Sequence, residues 1–336
     1  MESCNHLNSS YVVNHPDRPL HFHNPVQGKP DMISAPSPEP AAAAPPFGTV
    51  AIAGLGLLGG SLGLALRRLP RPPRVLGLAR REESVREAKA AGILDDGGID
   101  PARILPAADL TVICMPVLAA RDFVLAHAEA WPRGAVVTDV GSTKQELTAA
   151  LTPALRERGV HFVGSHPMAG SEQAGLRHAR ADLYRHATVF LTPEAGTDAG
   201  ALARIETFWR NLGAKTASIA PDEHDRLVAA TSHVLHLLAA AATRAVLRTP
   251  RAAEGTAGGF RDFTRIASSS PEMWADIFLD NRRAILGALD DVQAEIGVLR
   301  TALEHSDPAA ILTFLAAARN EREDWLARWQ TTRREP

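Results

Sequence analysis

Two predicted strands end in residues that can take part in proton and hydride transfer. The stretch VGSHPMAGSE, residues 163–172, places His166 at one strand end, and DVGSTK, residues 139–144, places Ser142 at another. A neutral imidazole can accept the proton of a hydroxyl group while a hydride leaves the carbon, and a serine can hydrogen-bond near a bound cofactor. This pattern predicts oxidation of an alcohol. The alternative interpretations are a turn residue before proline for His166 and a helix cap for Ser142.

A glycine-rich stretch predicts the cofactor that would take the hydride. GLGLLGG contains Gly54, Gly56 and Gly59 in the pattern GxGxxG, directly after a predicted strand and at the start of a predicted helix. Glycines there permit a tight turn and let backbone N–H groups approach a pyrophosphate at the positive end of a helix. In this context the motif predicts dinucleotide binding, and the alternative is a purely structural turn.

The residues after the second predicted strand bear on which dinucleotide binds. In NAD-binding domains an acidic residue about 20 positions after the glycines accepts hydrogen bonds from the ribose. Here that place reads Ala79, Arg80 and Arg81, and two guanidinium groups suit the 2′-phosphate of NADP. We therefore expect NADP rather than NAD. Glu82 and Glu83 would serve NAD if the two arginines are only solvated charges.

A parallel sheet must hold these residues. From Thr49 onward, short apolar runs alternate with helical stretches, which is typical of strands that crossover helices bury on both faces. Near Ala220 the strands stop, and helical patterns continue almost to the end of the chain. The predicted strands lie in TVAIAGLG, RVLGLAR, LTVICMPV, AVVTDVG, VHFVGS, ATVFLTP and AKTASIA.

The predicted fold class is α/β, with a Rossmann-type parallel-sheet domain followed by an all-helical domain. Residues 1–47 are rich in Pro, Ala, Asn, His and Ser, and we expect a disordered leader there. The dinucleotide-binding domain is assigned to residues 48–220 and the helical substrate and dimerisation domain to residues 221–332.

Helix signals organise the second domain. One helix is expected over residues 222–247, and another begins at Pro271, which Ser270 precedes. The sequence SDP at residues 306–308 predicts the start of the last helix. Long apolar helices of this kind pair between subunits, which predicts a homodimer.

Composition excludes several classes of function. The 336 residues carry a formal charge of −2 with both signs mixed, so no basic face for nucleic acid or polybasic membrane anchor is expected. The longest uncharged apolar run, residues 50–66, contains five glycines and predicts no membrane span. Cys4 and Cys114 give neither a disulfide framework nor metal-ligand spacing, so no metal is expected. We expect a cytoplasmic enzyme that acts on a small molecule.

The motifs together resemble one family, the prephenate and arogenate dehydrogenases of tyrosine biosynthesis. The likeness covers nearly all of residues 48–330 and rests on GLGLLGGSL, DVGSTK, SHPMAGSE, SHVLH and GGFRDFTRIASSSPEMWADIF. It implies NAD(P)-dependent oxidative decarboxylation: the C4 hydroxyl of prephenate is oxidised while the ring carboxylate leaves as carbon dioxide. It further implies that His166 is the catalytic histidine, that Ser142 links the hydroxyl to the cofactor, and that Glu172 belongs to the loop that shapes the site.

The resemblance also implies a substrate pocket in the helical domain. Arg265 resembles the arginine that binds a substrate carboxylate, and His233 and His236, at i and i+3 on one helix face, resemble residues that line the pocket. The alternatives are a surface ion pair for Arg265 and a packed pair for the histidines. The family commonly has proline in SHLPH where this chain has SHVLH, so we expect a straighter helix and a displaced His236.

The sequence leaves the substrate open. Prephenate is the first expectation, and arogenate and 4-amino-4-deoxyprephenate are the alternatives. A non-catalytic sensor of NADP would have lost Ser142, His166 or Arg265, and all three are present. A β-hydroxyacid dehydrogenase would carry a lysine on the first long helix of its second domain, and residues 222–247 contain none.

Overall fold

The computed structural model describes residues 45–170 and 173–334 of the chain, with side chains through residue 330. Most of the predicted leader and the predicted site residue Glu172 lie outside the described residues. Phe47, at the end of that leader, is packed into the core, with its ring edge-on to Phe208 at a centroid distance of 6.1 Å. The packed sheet region therefore begins no later than Phe47.

Eight strands form one sheet in the order β3-β2-β1-β4-β5-β6-β7-β8. Seven of them correspond to the predicted apolar runs, and the additional strand is β3, a three-residue segment of low strand propensity with the sequence DGG. The strands are β1 (Thr49–Ala53), β2 (Arg74–Leu78), β3 (Asp96–Gly98), β4 (Leu110–Ile113), β5 (Val136–Asp139), β6 (His161–Pro167), β7 (Thr188–Thr192) and β8 (Lys215–Ser218).

The sheet is parallel, as predicted, except at one pairing. Strands β1 to β6 pair in parallel, and β7 pairs with β6 in the antiparallel direction. The described part of the connection between β6 and β7 contains a short 3₁₀ turn, Leu176–His178, and no crossover helix. Because parallel neighbours need such a crossover, the chain here re-enters the sheet from the end at which it left.

The first six helices cover the sheet, and the others follow β8. The α-helices of the described residues are α1 (Leu57–Arg67), α2 (Glu82–Ala90), α3 (Pro101–Ile104), α4 (Val117–Ala126), α5 (Gln145–Arg156), α6 (Ala199–Asn211), α7 (Pro221–Val228), α8 (Val234–Leu247), α9 (Ala252–Gly255), α10 (Gly258–Thr264), α11 (Pro271–Asp280), α12 (Arg282–Glu304) and α13 (Pro308–Arg334). No helix among them combines the length and the apolar character that crossing a membrane would require.

Both faces of the sheet are buried. Alternate residues of a strand point to opposite faces, so Val50 and Ile52 enter one apolar cluster and Ala51 and Ala53 the other. The first cluster includes residues of α1 and α6, and the second includes residues of α4 and α5. This two-sided burial explains why the strands appear in the sequence as continuous apolar runs.

Two predicted helix starts are confirmed. Ser270 accepts a hydrogen bond from the N–H of Met273 at 3.3 Å, with Pro271 at the first helical position of α11. Asp307 accepts bonds from the N–H groups of Ala309 and Ala310 at the start of α13, both at 3.0 Å. The side-chain oxygens thus take N–H groups that a helix start leaves without internal partners.

The helix expected over residues 222–247 is present, but one of its turns is irregular. A π-helical turn, Ala229–His233, separates α7 from α8. Such turns insert one residue into the helical repeat and occur frequently at functional sites. The chain therefore has an irregular turn directly before Val234 in SHVLH, where the absence of proline predicts a straight helix.

Candidate active site

The loop between β1 and α1 lets another molecule approach the backbone closely. Gly54 has a φ of +108°, and a Cβ atom there would collide with the carbonyl oxygen of Cys114. A Cβ at Gly59 would collide with the carbonyl oxygen of Gly54, so α1 starts directly against the loop. At Gly56, by contrast, no described atom lies within 4 Å of a Cβ position. The loop therefore has the shape that a dinucleotide pyrophosphate requires.

The amino end of α1 adds positive charge at this loop. Among the described residues, no side chain caps this helix, and its first turn contains no acidic residue. The N–H groups of that turn can therefore bind an anion, which the helix dipole also favours. These features fit the pyrophosphate of NAD or NADP.

The end of β2 lies beside the glycine loop, because the N–H of Gly54 donates to the carbonyl oxygen of Leu78 at 2.9 Å. Arg80 and Arg81 follow this strand end, and both are exposed. The acidic pair after them, beginning with Glu82, occupies the first turn of α2, where negative charge complements the helix dipole. The two arginines are therefore the charged groups nearest in sequence to the strand end.

A cavity of about 400 Å³ opens between the glycine loop and the helical region. It lies at the carboxyl ends of the parallel strands, where open α/β sheets bind their ligands. Its walls come from the glycine loop, the segments after β4, β5 and β6, and the start of α11. Representative lining residues are Gly56, Met115, Ser142, Gly170 and Ser270.

The loop that carries Ser142 rests on a buried ion pair. Asp139 accepts hydrogen bonds from the N–H groups of Gly141 at 2.8 Å and Ser165 at 3.1 Å, and it pairs with the Lys144 ammonium. The Lys144 side chain is 0% exposed. Asp139, at the end of β5, thus contacts the loop between β5 and α5. It also contacts β6 at Ser165, the residue before His166.

Lys144→Met is expected to lower the free energy of unfolding by about 3–5 kcal/mol, because it leaves a buried carboxylate without its cation. Chemical denaturation measures this loss. The double variant Asp139→Asn/Lys144→Met removes both charges and should recover most of the stability. Equal destabilisation by the single and double variants would show that the ion pair is not the cause.

The helix that follows Ser142 is capped from another element. The carboxylate of Asp225, on α7, accepts the N–H of Lys144 at 2.8 Å and that of Gln145 at 2.9 Å. The alternative interpretation of Ser142 as the cap of α5 is therefore wrong. Ser142 lines the cavity instead.

His166 lies at the end of β6 with 9% of its surface exposed. Its Nδ1 atom is 2.9 Å from Nε2 of His224, and Nδ1 of His224 is 2.8 Å from a carboxylate oxygen of Asp225. Burial is the largest cause of a pKa of His166 well below its ordinary value, and the nearby ring of His224 and the Lys144 ammonium lower it further. The imidazole is therefore neutral at physiological pH.

His233 and His236 both contact Trp274. His236 stacks on the indole with centroids 3.5 Å apart, and His233 meets it edge-on at 5.8 Å. Nδ1 of His233 lies 3.1 Å from Nδ2 of Asn281, and Nδ1 of His236 lies 3.2 Å from the carbonyl oxygen of Ser232. The two histidines thus share one aromatic neighbour on the helical side of the site.

Burial keeps these two histidines neutral as well. It lowers the pKa of His233 to about 4, and it lowers the pKa of His236, with a further contribution from the charge of Arg265. Arg265 begins a 3₁₀ turn, Arg265–Ser268, and its side chain is exposed. Within the described part of the chain, the buried Nε1 atom of Trp274 has no hydrogen-bond partner. A ligand oxygen at this position would satisfy that donor.

Two residues that the site depends on, His224 and Asp225, are not predicted by the sequence. They are adjacent on a helix, and adjacent residues there have no characteristic spacing. In the fold, His224 is 0% exposed and Asp225 is 3% exposed, and both lie behind His166. The only sequence signal was the presence of a histidine in the first turns of a helix that follows the sheet. Glu172 lies outside the described residues.

Two family profiles match the chain. The family described as "Prephenate dehydrogenase, nucleotide-binding domain" matches residues 62–218, and "Prephenate dehydrogenase, dimerization domain" matches residues 220–317. Among curated relatives, the prephenate dehydrogenase of Bacillus subtilis is 34% identical over 82% of this chain and 75% of its own length. The cyclohexadienyl dehydrogenase of Zymomonas mobilis is 35% identical over 78% of this chain and 90% of its own length.

Solved structures agree with these matches. The prephenate dehydrogenase of Aquifex aeolicus, in complex with hydroxyphenyl propionate and NAD+, has a TM-score of 0.78 and 31% identity, and the match covers 82% of this chain and 97% of that one. The arogenate dehydrogenase of Synechocystis has a TM-score of 0.72 and 27% identity, over 82% and 99%. The resemblance and the fold class predicted from the sequence are confirmed: the chain belongs to the prephenate dehydrogenase family of oxidoreductases.

Proposed function

We propose that this protein catalyses the NAD(P)-dependent oxidative decarboxylation of prephenate to 4-hydroxyphenylpyruvate. The observation that carries the proposal is a buried, neutral His166 at the end of β6, on the sheet edge where Ser142 and the glycine loop line one cavity. Its Nδ1 atom is bonded to His224, so Nε2 is the ring atom left for a substrate hydroxyl. The prephenate dehydrogenases to which the chain is similar support the choice of substrate.

The reaction assigns a task to each residue. Bound NAD(P)+ supplies the acceptor for the hydride that leaves C4. His166 accepts the hydroxyl proton at Nε2, and Ser142 orients the same hydroxyl by a hydrogen bond. The ring carboxylate then leaves as carbon dioxide, its bonding electrons complete the aromatic ring, and the phenolate oxygen takes the proton back from His166. Aromatisation makes the overall step favourable.

The substrate is a dianion, and the helical region supplies the groups for it. Arg265 offers paired donors to the side-chain carboxylate. His233 and His236 contact Trp274, whose buried N–H lacks a partner among the described residues, and we assign these three side chains to the substrate pocket. Glu172, which lies outside the described residues, is proposed as a site residue on the sequence resemblance alone.

A second substrate is favoured by specific relatives. The chain is similar to a cyclohexadienyl dehydrogenase and to an arogenate dehydrogenase, so arogenate is the alternative to prephenate. The test measures formation of reduced nicotinamide with purified protein, crossing prephenate and arogenate with NAD and NADP. Turnover of prephenate supports the proposal, and turnover of arogenate alone replaces it. If neither reacts, 4-amino-4-deoxyprephenate is tested next, and binding of NADP without any turnover favours the sensor.

NADP is the proposed cofactor because Arg80 and Arg81 follow β2 beside the glycine loop. Each charge-assisted hydrogen bond to a 2′-phosphate contributes about 1.5–3 kcal/mol. The double variant Arg80→Ala/Arg81→Ala is therefore expected to raise the KM for NADP by about 100-fold and to leave the KM for NAD nearly unchanged. Arg86→Ala, an exposed arginine on α2, is the matched control. An equal effect on both cofactors would contradict the proposal.

We further propose a homodimer built on the helical region. The matching family profile is described as a dimerization domain, and it ends at residue 317, within α13. Several large apolar side chains on α11, α12 and α13 are exposed in the single chain, and such exposure is typical of an interaction surface. They are Leu279, Leu286, Ile296, Val298, Leu303, Leu312, Leu315, Trp325 and Trp329.

Trp325 and Trp329 test this interface, because their rings lie 5.9 Å apart on one face of α13 and are 52% and 40% exposed. Trp325→Ser/Trp329→Ser is expected to raise the dimer dissociation constant at least about 10-fold, since burial of each large apolar side chain contributes about 1.5–3 kcal/mol. Sedimentation equilibrium measures the change. Arg319→Ser/Glu323→Ser, an ion pair on the same helix, is the control. A monomeric intact chain would contradict the homodimer itself, and an unaffected dimer would contradict only the role of these tryptophans.

A further inference from the structure

His166, His224 and Asp225 form a hydrogen-bonded chain that ends at the carboxylate of Asp225. Asp225 accepts three N–H groups: Nδ1 of His224, the backbone of Lys144 and the backbone of Gln145. An ionised carboxylate is an acceptor only, so all three partners must donate to it. The hydrogen-bond roles along this hydrogen-bonded chain are therefore determined by chemistry as well as by distance.

The carboxylate determines the tautomer of the first ring. Since Nδ1 of His224 donates to Asp225, a neutral His224 carries its proton there and presents an unprotonated Nε2. This Nε2 atom faces Nδ1 of His166 at 2.9 Å and can only accept. Nδ1 of His166 must then carry the proton, and the lone pair of His166 is left on Nε2.

We propose that His224, fixed by Asp225, is a positioning residue that holds His166 in the Nδ1-protonated tautomer whose Nε2 atom is the base. The inference rests on the proposed function, because it assigns the proton acceptor of that reaction to one ring atom. His224 touches neither hydroxyl nor cofactor and acts through His166.

The surroundings favour this arrangement over a purely structural one. Phe190 packs edge-on to His224 at 5.6 Å and occupies one side of the ring without offering a hydrogen bond. His224 is 0% exposed, so water does not compete for its ring nitrogens. The other charged or titratable groups that act on His166 are Lys144, from the start of α5, and His233, from the π-helical turn.

The first test reads the tautomer directly. In the intact protein with ¹⁵N-labelled histidine, NMR is expected to give His166 a protonated Nδ1 and an unprotonated Nε2, the His166→Asn spectrum identifying the signals. This measurement needs no turnover. An Nε2-protonated His166 would overturn the inference, even if the proposed function stands. Conversely, undiminished turnover by His166→Asn would contradict the proposed function and leave the tautomer result intact.

Two variants of His224 separate positioning from packing. His224→Phe keeps a ring but removes the acceptor, and kcat is expected to fall on the order of 100-fold, less than the ~10⁴ seen where an orienting group is replaced so that the wrong tautomer forms. His224→Gln retains an acceptor oxygen and should recover at least part of kcat, and the KM for the cofactor should be unchanged in both. Phe190→Leu, which changes only packing on His224, is the control.

The kcat values and His166 tautomers of these variants distinguish a positioning role of His224 from a packing role. Restoration of kcat and of the Nδ1-protonated signal by His224→Gln supports the inference. Equal losses of kcat in His224→Phe and His224→Gln, with the His166 tautomer unchanged in both, would assign His224 a packing role. If His224→Phe does not fold, the comparison of His224→Gln with the intact protein and the tautomer of His166 decide the question.

Discussion

His166→Asn is expected to lower kcat by about 10²–10⁴-fold, the range that a positioned acid–base group contributes. Asparagine is close in size to the imidazole, so the end of β6 should keep its structure. Its amide has no basic nitrogen, so the group that accepts the hydroxyl proton in the proposed reaction is lost. The measurement is steady-state formation of reduced nicotinamide, together with the dissociation constant of the cofactor from fluorescence titration, which should not change.

The pH dependence of kcat/KM is an independent test of His166 as the base. Burial and neighbouring positive charge hold the pKa of His166 well below its ordinary value of about 6.5. The neutral form is the base, so activity is present above this lowered pKa and is lost as the pH falls through it. We expect the acidic limb of kcat/KM below about pH 6.5 in the native enzyme and absent from the residual rate of His166→Asn. A limb that persists unchanged in the variant would assign it to another group.

Arg265→Gln is expected to raise the KM for prephenate by about 100-fold or more while kcat changes little. In the proposed function the guanidinium offers two parallel donors and a fixed charge to a substrate carboxylate, and hydrogen bonds to charged groups contribute about 1.5–3 kcal/mol each. Because the bond persists from the bound substrate to the transition state, its loss is a loss of uniform binding. Initial rates over a wide substrate range measure the effect.

Two companion variants sharpen this prediction. Arg265→Lys keeps the charge and loses the planar pair of donors, so its KM should lie between those of the native enzyme and Arg265→Gln. Arg261→Gln is the matched control, since Arg261 is exposed on the preceding helix and pairs with Asp262 at 2.9 Å. A comparable rise in KM from Arg261→Gln would indicate a general field of positive charge instead of a specific contact.

The sheet was largely predictable because two-sided burial gives its strands an apolar pattern that is visible in the sequence. β1 illustrates this, since the run VAIA is apolar throughout and is buried on both faces of the sheet. β3 was missed because Asp-Gly-Gly has low strand propensity and forms a strand only through pairing with β2. The antiparallel direction of β7 was not predicted, because apolar periodicity does not encode whether a strand runs parallel or antiparallel to its neighbour.

Side-chain roles were predictable only where sequence spacing carries them. Ser142 and His166 follow strand ends, and strand ends of a parallel sheet meet at one edge, so their proximity to a ligand crevice was expected. His224 and Asp225 come from a helix distant in sequence, and their position behind His166 depends on how α7 packs against the sheet. The π-helical turn before Val234 likewise depends on tertiary packing and has no single-residue signature.

The carboxylate of Asp225 belongs to α7 but caps α5, which begins in the loop after β5. A fragment ending at residue 220 would retain the glycine loop and so the means to bind a dinucleotide. It would lack both the acceptor for the first N–H groups of α5 and the partner of His166. The carboxyl end of the sheet is therefore not a self-contained module, and recombination between homologues is expected to preserve activity when β5 to α7 come from one parent or when both parents carry these partners.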